Sequence, residues 1–171
     1  MTGYVALLRA VNVGGTGKLP MAELKAMCEA AGFGKVRTYI ASGNVVFAAS
    51  GDEAKVKAAL EAKLEAYAGK KVGVLVRTPA EMKAVLADNP FVNKAPNRTV
   101  AIFLDAPPAP DALQKASGVQ AEELRLGRRE IYVHYGDGMA DSKLKIPAAA
   151  AGTARNMNTV AKLAEMAGEL S

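Results

Sequence analysis

The run VRTYIASGNVVFAA (residues 36–49) decides how the rest of the chain is read. VRTYIA and NVVFAA are two short β-compatible segments, and the Ser42-Gly43 pair between them suits a tight turn, so the stretch reads as a hairpin. Upstream, Leu24, Met27, Cys28 and Ala31 recur at i, i+3, i+4 and i+7. They form the apolar stripe of a helix that Pro20 opens and Gly32 closes. Further upstream, YVALLRAV (4–11) is a short apolar strand. Downstream, Asp52 and Glu53 open a second helix with Val56, Leu60, Leu64 and Tyr67 on one face, and Gly69 ends it. VGVLVRT (72–78) is the next strand. The order is β-α-β-β-α-β, the ferredoxin-like unit, with the first and third strands central and both helices on one face.

A second series follows. Thr78 and Pro79 fit the cap and first turn of a helix over 79–88, and DNPFVNKAPN (88–97) is a loop rich in breakers. Then come TVAIFLD (99–105), a helix near 110–117, ELRLG (123–127), REIYVHY (129–135), a loop, and a helix from about 157 to 168. The expected fold is α+β: two ferredoxin-like (βαββαβ-type) half-units with mainly antiparallel sheets and helices on one face. The second half lacks its last strand. The first half is 1–78; residues 79–171 supply a connector helix, the second half and the C-terminal helix, packed with it as one compact protein.

Among 171 residues, half are apolar and under a quarter charged, the balance of a globular domain rather than a disordered chain. Trp is absent and aromatics are few, which argues against extensive base stacking. The net charge is +5, and all of the excess lies in residues 1–78, where 11 Lys/Arg face 6 Asp/Glu. A basic half attracts phosphates and acidic surfaces. One Cys excludes an intramolecular disulfide, and a single His leaves no Cys/His zinc cluster, so neither metal nor cofactor is expected. No apolar run reaches the roughly 18–20 residues that cross a bilayer, so the expected setting is the cytoplasm, without a membrane partner.

Several polar constellations stand out. RAVNVGGTGKLP (9–20) resembles a phosphate loop, but Asn12 stands where the first glycine belongs and Leu19 where the metal-holding hydroxyl belongs. A looser anion site at a strand end, or a glycine-rich connection, remain the two readings. Arg9 shares strand parity with Val5 and Leu7 and needs a carboxylate or an anion as partner. Ser42, Gly43 and Asn44 are turn residues that can also face a ligand. Glu130, Tyr132 and His134 alternate with apolar neighbours, either as an acid–base group or as the wet side of a sheet. TARNMNTVAKL (153–163) places Arg155, Asn156 and Thr159 at a helix start, as an anion-binding corner or as its own cap. Cys28 sits on an apolar stripe and reads as core.

YVALLRAVNVGG (4–15), KLPMAELKAM (18–27), FGKVRTYIASGNVVF (33–47) and SKLKI with TARNMNTVAKL (142–163) together resemble the bacterial family known as domain of unknown function 1697. Members more often carry Gly-Ile at Ala10-Val11, Gln at Ala41 and Trp at Met157. The resemblance implies a soluble α+β protein with ferredoxin-like elements and supplies no activity. Its motifs fall on Arg9, Asn12, Gly14, Gly15, Ser42, Gly43, Asn44, Arg155, Asn156 and Thr159. With Lys18, these are the candidate anion- or ligand-binding residues; no catalytic residue is assigned. The expected role is an anion-binding module for nucleic acid or a phosphorylated ligand. A small-molecule enzyme with a pocket around Arg9 and Arg155, and a homo-oligomeric interaction protein, are the alternatives.

Overall fold

The computed structural model describes residues 1–9, 18–40, 43–136 and 142–170. The chain divides into two compact units, Met1–Met82 with Leu163–Ser171, and Lys83–Lys162. The division falls within two helices, α3 (Pro79–Ala87) and α4 (Met157–Gly168).

The first unit holds β1 (Thr2–Leu8), α1 (Met21–Ala30), β2 (Gly34–Tyr39), β3 (Asn44–Ala49), α2 (Glu53–Ala68) and β4 (Val74–Arg77), in the sheet order β2-β3-β1-β4. β1 is central and antiparallel to both β3 and β4, the arrangement that two interlocked split βαβ units produce. Pleating then sorts the side chains. Tyr4, Ala6 and Leu8 of β1, Phe47 of β3 and Val76 of β4 share a core with Leu24, Met27 and Cys28 of α1 and Val56, Leu60 and Leu64 of α2. Phe33 stacks on Phe47 with ring centroids 4.3 Å apart. Tyr67, expected on the buried stripe, is 47% exposed because it lies in the last turn of α2. α2 is closed at both ends by the residues expected there. The Asp52 carboxylate accepts from Lys55 N–H at 2.9 Å, and Gly69 adopts φ +72°.

The opposite face of this sheet is not open. Val5, Leu7, Val46, Ala48 and Leu75 are all buried, as are Asn44 and Arg77. Within the same unit, the Leu170 side chain lies against Gly3, where a Cβ would come to 3.3 Å.

The second unit holds β5 (Thr99–Phe103), β6 (Glu123–Leu126), β7 (Glu130–His134) and β8 (Thr153–Asn156), ordered β6-β7-β5-β8. The strand that the sequence reading leaves out is β8. Its four residues, Thr-Ala-Arg-Asn, carry helix-cap chemistry and little β-propensity, yet they pair with β5 from Phe103–Thr153 to Val100–Asn156. The second sheet is therefore complete. The helix expected near 110–117 is only a 3-10 turn, Ala112–Lys115, in a segment thick with breakers. Val100, Ile102, Leu104, Ile131 and Val133 line one core, against Ile146, Leu113 and Leu144. On the other face, Glu130 and Tyr132 are buried rather than wet. The Tyr132 hydroxyl donates to the Val85 carbonyl of α3 at 2.8 Å.

Candidate functional site

Two backbone hydrogen bonds gather separate segments at the C-terminal end of β1. Leu8 N–H donates to the Gly43 carbonyl at 2.9 Å, and Arg9 N–H donates to the Gly73 carbonyl at 2.9 Å. The β2–β3 hairpin tip and the entry to β4 thus bracket the point where the chain leaves the sheet. α1 ends where β2 begins, beside the start of β1, so its N-terminus and Lys18 return to the same end as Arg9. Sequence alone left open whether the strand end and the hairpin lie together. Register decides it.

The side chains there have distinct surroundings. Arg9 has left strand parity by one residue. It runs across Gly73, where a Cβ would meet Arg9 Cδ at 3.1 Å, and lines a half-open cleft of about 540 Å³ beside α2. Glu61, Glu65 and Lys71 share that cleft. Glu61 is tied down: its carboxylate accepts from Val74 N–H at 3.2 Å and pairs with Lys57 Nζ at 3.6 Å, while Lys57 also donates to the Val74 carbonyl. Lys18 and Lys71 are exposed. Asn44 is turned inward; its Nδ2 donates to the Tyr39 carbonyl at 2.9 Å and closes the hairpin. Gly43 takes φ +89°, which only glycine adopts without strain. Ile40, at the same tip, holds φ +49°, a strained state for a β-branched residue. Nothing in the sequence marks it. Asn12, Gly14, Gly15 and Ser42 lie outside the described residues.

The Arg155 corner is built differently. Arg155 lies on β8 with 7% exposure. Its Nη1 donates to Thr153 Oγ1 at 2.8 Å and to the Ala154 carbonyl at 2.9 Å. Burial pulls its guanidinium down to about 10, which still leaves it cationic at neutral pH. Asn156 caps α4, its Oδ1 accepting from Thr159 N–H at 2.9 Å. The same corner stands in the first unit. Val5 pairs with Val46 and Arg77 as Ala101 pairs with Tyr132 and Arg155, so the two arginines hold equivalent edge-strand places. Arg77 Nη1 donates to the Val76 carbonyl at 3.0 Å. Thr78, the equivalent of Asn156, forms a capping box with Glu81: Thr78 Oγ1 accepts from Glu81 N–H, and Glu81 Oε1 accepts from Thr78 N–H. Arg77 is absent from the sequence-derived candidates because nothing local distinguishes it from a surface arginine.

His134 has a defined tautomer. Thr99 Oγ1 donates its one proton to the Ala95 carbonyl at 3.0 Å, so it accepts from His134 Nδ1–H at 3.0 Å. The ring also packs at 6.0 Å from Phe91. These contacts fasten the 88–98 loop to β7. Burial pushes the Cys28 thiol up to about 12, so it is an inert core residue. Among the described residues no group of three His, Cys, Asp or Glu side chains is placed to hold a metal, and no helix is long and apolar enough to cross a membrane.

Two four-stranded antiparallel sheets, with four α-helices among the described residues, define an α+β protein of mixed class. The chain belongs to the family described as Protein of unknown function (DUF1697), whose model matches residues 1–132. Among solved structures, the conserved bacterial protein SP0830 from Streptococcus pneumoniae is similar. It shares 25% identity at a TM-score of 0.80, over 97% of this chain and 98% of that one. No curated protein matches the chain.

Proposed function

We propose that this protein binds a small phosphorylated ligand at the C-terminal end of β1, with Arg9, Lys18 and Lys71 supplying the positive charge. The observation that carries this reading is the pair of backbone bonds, Leu8 to Gly43 and Arg9 to Gly73, which draws three segments around one strand end. Lys18 is exposed and precedes the N-terminus of α1, where Pro20 provides no side-chain cap. The positive end of the helix dipole and uncapped N–H groups therefore add to the lysine. Arg155, Asn156 and Thr159 are left out of the site because their polar atoms serve the strand–helix corner.

A compact site fits a small ligand better than a nucleic acid. Base stacking on an open sheet needs an accessible aromatic face, and here Tyr4, Phe33 and Phe47 are buried beneath the helices. The other sheet face is buried too. A cytoplasmic setting accords with the lone, buried thiol.

Calorimetric titration with ethyl phosphate at low salt tests the reading. Binding that weakens at least about fivefold in Arg9→Gln and in Lys18→Gln supports it, since one charge-assisted contact is worth about that much. No binding at millimolar ethyl phosphate overturns it. Tighter, steeply salt-dependent binding of a 15-nucleotide single-stranded RNA, unaffected by Arg9→Gln, transfers the function to nucleic acid.

A further inference from the structure

The cleft that Arg9 lines is not uniformly basic, and its charges are divided by wall. Arg9 and Lys71 stand on the strand side, while Glu61 and Glu65 project one helical turn apart from α2. Glu61 is engaged by Val74 N–H and Lys57. The side chains of Glu65 and Lys71 make no hydrogen bond or ion pair with other described residues. A purely anionic ligand entering here meets repulsion from Glu65 as well as attraction from Arg9. A ligand with a cationic group a few bonds from its phosphate satisfies both walls.

We propose that the ligand of this cleft is a zwitterion, a phosphate or carboxylate joined to a primary amine, with the anionic group toward Arg9 and Lys71 and the ammonium toward Glu65. The cleft, about 540 Å³ and open on one side, is larger than such a molecule and admits it together with bridging water. Ala58, Ala62 and Gly73 present no bulk that would hold the two walls apart, and any side chain at 73 would press on Arg9. This inference rests on the phosphate-binding reading of the same strand end and adds the second recognition group.

Phosphoethanolamine and ethyl phosphate differ only in the ammonium, so titrating both isolates its contribution. Phosphoethanolamine binding about three- to fivefold tighter than ethyl phosphate is expected, the size of one partly screened ion pair. Glu65→Gln removes that preference, weakening phosphoethanolamine binding and modestly tightening ethyl phosphate binding, because the repulsion of a pure anion goes with the carboxylate. As Glu65 is exposed, the variant folds normally, which thermal melting verifies. Equal binding of the two probes by the unaltered protein overturns the inference and leaves the phosphate-binding reading standing, as does a preference that survives Glu65→Gln. Ethyl phosphate binding strengthened by Mg²⁺ through Glu65, with no amine preference, also overturns it by giving the carboxylate to a metal. Failure of both probes to bind is the failure of the phosphate-binding reading itself.

Discussion

The ends of β1 and β5 hold the same place in their two sheets, yet the residue that leaves the strand carries opposite charge, Arg9 in one and Asp105 in the other. Leu8 N–H meets the Gly43 carbonyl as Leu104 N–H meets the Arg129 carbonyl, so the strand–hairpin junction is repeated. Beyond it, the first unit places Arg9, and Lys18 where the chain enters α1. The second places Asp105 and the run Ala-Pro-Pro-Ala-Pro, beside a smaller cleft of about 330 Å³ walled by Leu104, Pro107, Ala148 and Ala151. Part of that furnishing is repeated in the second unit, whose hairpin carries Gly127, Arg128 and Arg129, with Arg129 Nη1 donating to the Asp105 carbonyl at 3.2 Å. What differs is the strand exit itself, where Asp105 stands in the place of Arg9. That reversal of charge is the reason to ask whether the first strand end is a site rather than a connection.

Positive-φ glycines differ in how closely they are packed, within each unit as well as between them, and in the second unit Gly136 too faces open space. The positive-φ glycines Gly32 and Gly69 of the first unit have open space where a Cβ would go. Gly118 of the second has positive φ, and a Cβ there would overlap the Lys143 carbonyl. Gly118→Ala is therefore expected to cost about 3 kcal/mol or more, against about 1 kcal/mol for Gly69→Ala, in denaturant unfolding. Equal costs would break the distinction between a glycine packed against backbone and one that faces open space.

The repeated arginine corner invites the converse test. Arg77→Met and Arg155→Met should each lose about 2 kcal/mol, because buried carbonyl acceptors forfeit a charged donor. A disparity well beyond 1 kcal/mol between them would show that the corners are equivalent in register but not in energy.

Alkali should separate the units by a titrating group in each. The Cys28 thiol is raised from 9.0 to about 12, so the folded state holds its proton after the unfolded chain has lost it. Its contribution is whole below pH 9 and falls as pH climbs towards 12, reaching a loss of about 2 kcal/mol near pH 10.5. Tyr132, raised by burial and by nearby Glu130 and Asp88, acts in the same direction above pH 10. Stability of Cys28→Ala measured across pH 8–11 should lack the earlier part of this decline; an unchanged profile would assign it to the raised tyrosines Tyr132, Tyr4 and Tyr135.

The smallest effect concerns the hairpin tip. Ile40→Gly should stabilise by about 1 kcal/mol, since glycine accepts φ +49° without the Cβ penalty. Unaltered ethyl phosphate binding in that variant would show that the strain does not serve the site.

Legibility followed physical range. Helix stripes, the Asp52 and Thr78 caps and the Gly69 terminus were readable because their partners lie within four residues. β8 was not, because Thr153–Asn156 is a strand only through its ladder to β5, and the same letters spell a helix cap. Glu130 and Tyr132 misled for a related reason. Alternation assigns residues to faces but cannot say what covers a face, and here Val85 covers Tyr132.

By itself, the sequence determined the order of elements in the first unit, the apolar faces of α1 and α2 and the concentration of positive charge in the first half. Those follow from local periodicity and composition. Only the tertiary structure decided that Arg9, Gly43, Gly73 and Lys18 belong to one strand end while Arg155 belongs to a buried corner. Register and burial link residues tens of positions apart, and no window of sequence contains that information.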